Sequence, residues 1–176
     1  MKIFKEIKES EKINDLKAID LDIFQDHRGE IWTVYSDKEI VPTFVCDKIT
    51  ISGFGVLRGF HGDSKTAKLV TCLSGKMQFA VVDLRKGSST YGNIETFIVE
   101  AAYPKIIFVP AGCINAHLSL SEKCIFYYKW TKHYDGPENQ TTVLWNDPKL
   151  NINWILKNPI LSERDKKAGS CSNIYL

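Results

Sequence analysis

From Phe44 to Thr131 the chain is a succession of short apolar runs, each broken within a few residues by glycine, proline or charge. In order they read FVCDKITIS, FGVLRGFH, KLVTCLSG, KMQFAVVDLR, ETFIVEA, KIIFVPAG, HLSLS and KCIFYYKWT. Val, Ile, Phe and Tyr dominate them, the residues whose branched or planar side chains pack on a pleated surface. Gly53, Gly75, Gly87, Gly92, Pro104, Pro110 and Gly112 punctuate the runs. A helical period is almost absent. Closely spaced short strands with turn signals between them predict an all-β sandwich or barrel. LSGKM predicts a hairpin, with Ser74 and Gly75 at its turn.

The flanks differ. Phe4, Ile7 and Ile13 stand among charges, a pattern that predicts a short N-terminal helix or a frayed lead-in. Leu21 to Phe24 reads as a strand leading into the polar turn QDHRGE, and Ile31, Trp32, Val34 and Tyr35 as a further β segment. After Thr131, KHYDGPENQTTVLWNDPKLNINW is polar, turn-rich and aromatic. It is expected to run over the surface or across the mouth of the barrel. LSERDKKAGS predicts a short C-terminal helix with Ser162 as its N-cap. No linker or repeat interrupts the chain, so residues 1–176 are expected to form one domain.

Composition narrows the function classes. The chain carries 23 Lys and Arg against 21 Asp and Glu, a net charge of +2. That balance argues against nucleic acid or an acidic membrane as partner. The charged N-terminus lacks the apolar region of a signal peptide, and no run approaches membrane-spanning length. Cys46, Cys72, Cys113, Cys124 and Cys171 are odd in number and scattered. They point away from a disulfide framework or a structural zinc site and toward a reducing cytoplasm.

Candidate chemistry concentrates in GVLRGFHGDSKTAKLV, residues 55–70. Arg58, His61 and Lys68 put two cations and a titratable imidazole on short apolar segments, a combination that binds an anion and moves a proton. The histidines at 27, 61, 117 and 133 are too scattered for a metal-ligand set, so no metal is expected. Removing a proton next to a ketone needs a base, a group to orient it, and a cation or donor for the enolate oxygen. His61, Asp165 and Lys68 supply these types, and Tyr134 is a suitable acid for the opposite face. Each also has an ordinary reading: a structural strand histidine, surface cations, a rim aromatic, a solvated helix-end carboxylate.

The order RGFH, KLV, LSGKMQFAVVDLRKGSSTYG, VPAG, Tyr134 before Pro137, LWNDP and NWILKNPILSERD, with DHRG at residues 26–29, resembles the dTDP-4-dehydrorhamnose 3,5-epimerase family. The likeness runs from about Leu21 to Lys167. It implies a jelly-roll cupin fold, a homodimer, and a mechanism without cofactor or metal. The implied substrate is a nucleotide-linked 4-keto sugar. By resemblance His61 is the base, Asp165 its partner, Tyr134 the acid and Lys68 the enolate contact. Arg58 and Arg28 are phosphate or nucleotide contacts, the latter across the dimer.

The chain also departs from the family pattern. Gly62-Asp63 stands where the family has Tyr-Gln. Cys46 and Lys48 replace Gln and Asn. Asn115 replaces the family's second histidine, with His117 two residues later on the same strand face. Lys48, Asp63, Asn115 and His117 are therefore expected to shape substrate binding. Gly62 is expected to open room for a larger sugar, such as a GDP-4-keto-heptose of capsule synthesis. Inversion at C3 alone, a sugar 3,4-ketoisomerase and a non-catalytic nucleotide-sugar-binding cupin are the alternatives.

Overall fold

The computed structural model describes residues 3–36, 42–172 and 174–176. Its regular structure is almost entirely strand: β1 (Phe4–Glu9), β2 (Lys17–Leu21), β3 (Phe24–Asp26), β4 (Gly29–Ile31), β5 (Cys46–Ser52), β6 (Leu57–Gly62), β7 (Lys68–Ser74), β8 (Lys76–Asp83), β9 (Ile94–Glu100), β10 (Lys105–Val109), β11 (Cys113–Ser119), β12 (Cys124–Trp130) and β13 (Thr141–Thr142). One sheet has the order β1-β2-β10-β7-β12-β5, and a second the order β13-β6-β11-β8-β9. β3 and β4 form a separate hairpin. Two facing antiparallel sheets joined by crossovers are the jelly roll that the strand pattern predicts.

Alternation along the strands sorts the residues into layers. On β8, Met77, Phe79 and Val81 face the inside, packed with Val70, Val109 and Phe126. Ala80 and Val82 face the opposite way, against Val143, Leu150 and Trp154 of the C-terminal segment. Gln78 ties that segment down, donating to Asn153 O at 3.0 Å and accepting from Ile155 N at 2.9 Å. The outer face of the six-stranded sheet is covered by Trp32, Val34, Tyr35 and Phe44 over Leu69 and Ile106. Both faces are covered along β8 and β11, so both strands are buried throughout; β8 is largely apolar, whereas β11 alternates Ile114, Ala116 and Leu118 with Asn115, His117 and Ser119.

Four expectations need correction, the first being the strand from Leu21 to Phe24, which instead spans the break between β2 and β3. The N-terminal segment is a strand, because residues 4–9 find hydrogen-bond partners on β2, and Ile13 and Leu16 plug the barrel from a turn rather than a helix face. LSGKM is not a hairpin: β7 and β8 lie in different sheets, and Gly75 is the corner between them. Gly75 has φ +80°, and a Cβ there would strike Lys123 O. Of the segment Ile31 to Tyr35, only Ile31 is in a strand, and the aromatics that follow pack irregularly onto the sheet. The C-terminal helix forms as α1 (Glu163–Lys166), where the Ser162 side chain accepts from Asp165 N.

β6 meets β11 with a register shift that positions everything below. Asn115 pairs with His61, but His117 pairs with Arg58, so β6 uses one residue more than β11 over this interval. Gly59, at φ +122°, occupies the bulge, where a Cβ would lie 2.6 Å from Asn115 O. The bulge also sets the facing of Gly62. A Cβ at Gly62 would lie 2.6 Å from Cys113 O and 3.0 Å from Ile114 Cα. Its missing side chain therefore makes room for β11, not for a sugar. Gly62→Tyr is expected to lower the thermal midpoint or abolish soluble folding rather than to change substrate preference, which melting curves and product assays on the same protein would separate.

Candidate functional site

The interior between the sheets opens on one side into a cavity of about 480 Å³. That volume lies in the range of small-molecule sites. Strand alternation supplies its walls: Arg58 and His61 from β6, Lys68 and Val70 from β7, Asn115 and His117 from β11, Phe126, Tyr128 and Trp130 from β12, and Lys48 and Thr50 from β5. Tyr134 and Gln140 come from the segment after β12, and Arg164 and Asp165 from α1. Four cations, Lys48, Arg58, Lys68 and Arg164, face one carboxylate, Asp165, so the cavity is built for an anion.

His61 and Asp165 meet across 104 residues of sequence, with Nε2 2.7 Å from Oδ1. The tail reaches this point by docking on β6. Leu57 N donates to Ile160 O at 3.0 Å, Ile160 N donates to Gly55 O at 2.8 Å, and Val143 and Phe60 exchange backbone hydrogen bonds of 3.1 Å each. Asp165 is 2% exposed. Burial pushes its pKa up, but the His61 contact and the Ser162 cap outweigh this and hold the carboxyl below its ordinary range. The ionised carboxylate only accepts hydrogen bonds. Nε2 of a neutral His61 therefore donates to it, and the lone pair of the ring lies at Nδ1.

Lys68 is buried, with Nζ donating to Asn115 Oδ1 at 2.6 Å and to His61 O at 2.9 Å. Burial pushes its pKa down to about 8; Asp63 opposes the shift and Lys48 adds to it. His117 stacks on Phe126 at 4.2 Å between centroids. Burial, reinforced by Arg58 and His61, pushes it down to about 3, so it is a neutral imidazole. Its Nε2, with Thr50 Oγ1, Trp130 Nε1 and Gln140 Nε2, is buried without a hydrogen-bond partner among the described residues. An unsatisfied buried polar atom costs roughly 1–3 kcal/mol. That all four of these residues line one cavity marks it as a binding site.

Of the residues singled out in the sequence, His61, Lys68, Tyr134, Asp165, Arg58, Lys48, Asn115 and His117 converge here. Two do not. Asp63 accepts from Lys65 N and Thr66 N at 2.8 and 2.7 Å, turning the loop between β6 and β7, and it lies in a neighbouring depression. Arg28 lies on the β3–β4 hairpin, where its side chain is 76% exposed and pairs with Asp26 at 2.6 Å. Lys48 is also placed unexpectedly: its ammonium lies 3.7 Å from the Tyr134 ring centroid and 4.5 Å from that of Trp130.

Arg164 was not foreseen. It donates to Thr142 Oγ1 from Nε at 2.9 Å and from Nη2 at 2.5 Å, and to Pro137 O at 3.0 Å. It fastens α1 to β13. The even-numbered run Phe126, Tyr128, Trp130 was the available signal for the aromatic wall. Among the described residues no group of three or more His, Cys, Asp or Glu side chains converges as a metal site.

The same architecture occurs in proteins of known name. A curated relative from Pseudomonas aeruginosa, a dTDP-4-dehydrorhamnose 3,5-epimerase, is 34% identical over 88% of this chain and 90% of its own length. The crystal structure of the enzyme of that name from Elizabethkingia anophelis is 33% identical, with TM-score 0.87 over 94% of this chain and 96% of that one. The dTDP-6-deoxy-D-glucose-3,5-epimerase of Legionella pneumophila, solved in complex with dTDP-4-keto-L-rhamnose, is 32% identical, with TM-score 0.88 over 94% and 92% of the two chains. The family model for dTDP-4-dehydrorhamnose 3,5-epimerase matches residues 10–173, and this chain belongs to that family.

Proposed function

We propose that this protein inverts C3, C5 or both in a nucleotide-linked 4-keto sugar, with a dTDP-4-keto-6-deoxyhexose as the substrate class, in surface polysaccharide synthesis. The observation that carries the reading is the His61–Asp165 contact beside a buried Lys68. Nδ1 of His61 takes the proton from the carbon α to the C4 ketone. The electron pair of that C–H bond moves into the enolate, and the charge on its oxygen falls to the Lys68 ammonium. Asp165 offsets the imidazolium that forms. Tyr134 belongs to the opposite wall, following β12 of the six-stranded sheet, while His61 is on the five-stranded one. Its O–H returns a proton to the other face of the carbon, which inverts the centre. Arg58 and Arg164 suit the diphosphate.

The reading includes a homodimer. The outer face of β5, an edge strand, presents Ile49 and Ile51 at 59% and 61% exposure. The β3–β4 hairpin stands apart from both sheets, which agrees with Arg28 serving the partner's cavity. The five free thiols agree with a cytoplasmic setting.

Lys68 is costly to the free protein. The unfolded chain keeps its proton to about 10.5, whereas the folded protein releases it at about 8. Below pH 8 the penalty of burying the ammonium is fully present. Between those values the unfolded state binds more protons, so stability rises with pH.

In deuterated water the protein is expected to wash deuterium into C3, C5 or both of dTDP-4-keto-6-deoxyglucose. GDP-linked 4-keto sugars form the parallel arm, and absence of exchange in every arm sinks the reading. His61→Ala should lower exchange by about 10²–10⁴-fold, the usual worth of a general base, whereas Tyr134→Phe should spare exchange and stop inversion. In urea titrations from pH 8 to 10.5, wild type should gain stability relative to Lys68→Met; a pH-independent difference would contradict the buried ammonium.

A further inference from the structure

We propose that Lys48 is the positioning residue for Tyr134, holding the face of its ring so that the hydroxyl meets the substrate carbon. This rests on the reading of Tyr134 as the proton donor. Tyr134 is poorly held by anything else. Its residue is 42% exposed, and its hydroxyl makes no hydrogen bond among the described residues. Residues 132–136 make no backbone–backbone hydrogen bond among the described residues. Two ring contacts remain. The tyrosine and Trp130 rings meet in a T-shaped contact at 5.5 Å between centroids, and the Lys48 ammonium lies 3.7 Å from the tyrosine centroid.

Lys48 is suited to this and to little else in the free protein. β5 carries it opposite Tyr128 of β12, so its backbone belongs to a paired strand rather than to the loop it steadies. Its ammonium has no carboxylate partner and no hydrogen bond among the described residues. Its neighbours are two aromatic rings, Tyr134 and Trp130. A cation is drawn to the negative face of a ring and repelled by its positive edge, so the contact fixes ring tilt as well as distance. Ring tilt sets where the phenolic O–H points. When the O–H has given its proton to carbon, the ring and its oxygen carry the negative charge, and the same ammonium already stands against it. No covalent step involves Lys48.

The test compares Lys48→Met, Lys48→Arg, Tyr134→Phe and the double variant Lys48→Met/Tyr134→Phe on dTDP-4-keto-6-deoxyglucose in deuterated water. Deuterium wash-in, inverted product, KM and the affinity for dTDP are read for each. Lys48→Met is expected to lose inverted product by on the order of tenfold, the scale of a partly desolvated cation–π contact, and by clearly more than it changes wash-in, KM or dTDP affinity. Lys48→Arg should recover most of the loss. In the Tyr134→Phe background, Lys48→Met should cost nothing further. Equal slowing of wash-in and inversion with weakened dTDP binding would make Lys48 a phosphate ligand and overturn the inference, as would unchanged inversion. If Tyr134→Phe inverts normally, the donor assignment and this inference fall together. If Tyr134→Phe is impaired and Lys48→Met is not, this inference alone falls. A readout that needs no turnover is the ¹⁹F resonance of fluorotyrosine at position 134. It should move in Lys48→Met and return toward its original place in Lys48→Arg, and an unmoved resonance in Lys48→Met would overturn the inference whatever substrate the enzyme takes.

Discussion

Side chains alternate along a strand, so residues three apart ought to face opposite ways. Arg58 and His61 nevertheless face one cavity, because β6 carries one residue more than β11 between them. The site depends on this local mismatch. It delivers the imidazole and the guanidinium to the same wall while Leu57 and Phe60 stay in the apolar layer behind the sheet. The mismatch needs Gly59, because the backbone of β11 occupies the space a Cβ would take. One glycine thus sets both the packing of the sheet and the composition of the cavity.

The second dependence is electrostatic. Lys68, Lys48, Arg58 and Arg164 share a cavity with a single carboxylate, and that carboxylate is committed to His61. Such a site is poorly compensated until an anion enters it. Burial, which depresses Lys68 in the free protein, also keeps water from competing with a ligand oxygen. The same arrangement that weakens the free protein therefore strengthens its grip on an anion, a common relation between stability and function.

Much of this was legible in the sequence. The apolar runs from Phe44 to Thr131 correspond to β5 through β12, because each strand needs its own β-forming residues and each break its own glycine, proline or charge. His61, Lys68, Tyr134 and Asp165 were assembled from chemical type and from motif order. What stayed hidden was facing. Gly62 stands where the family has tyrosine, which suggests cavity space; the bulge instead turns it toward β11. The role of Asp63 is hidden because it is a turn made with the backbone N–H groups of Lys65 and Thr66. Arg164 stood beside Asp165 on a four-residue helix, and only the arrival of β13 gives it a partner. The N-terminal spacing imitated a helix because Ile13 and Leu16 serve the barrel interior from a turn.

The His61–Asp165 contact spans 104 positions, and the carboxylate arrives on a segment that packs against the back of a sheet already complete without it. Closing so long a loop is an entropic cost that the contacts of the tail with the sheet must offset. Chemical competence is thus a property of the docked tail as much as of the barrel: His61 has its orienting carboxylate only while residues 160–166 lie against β6.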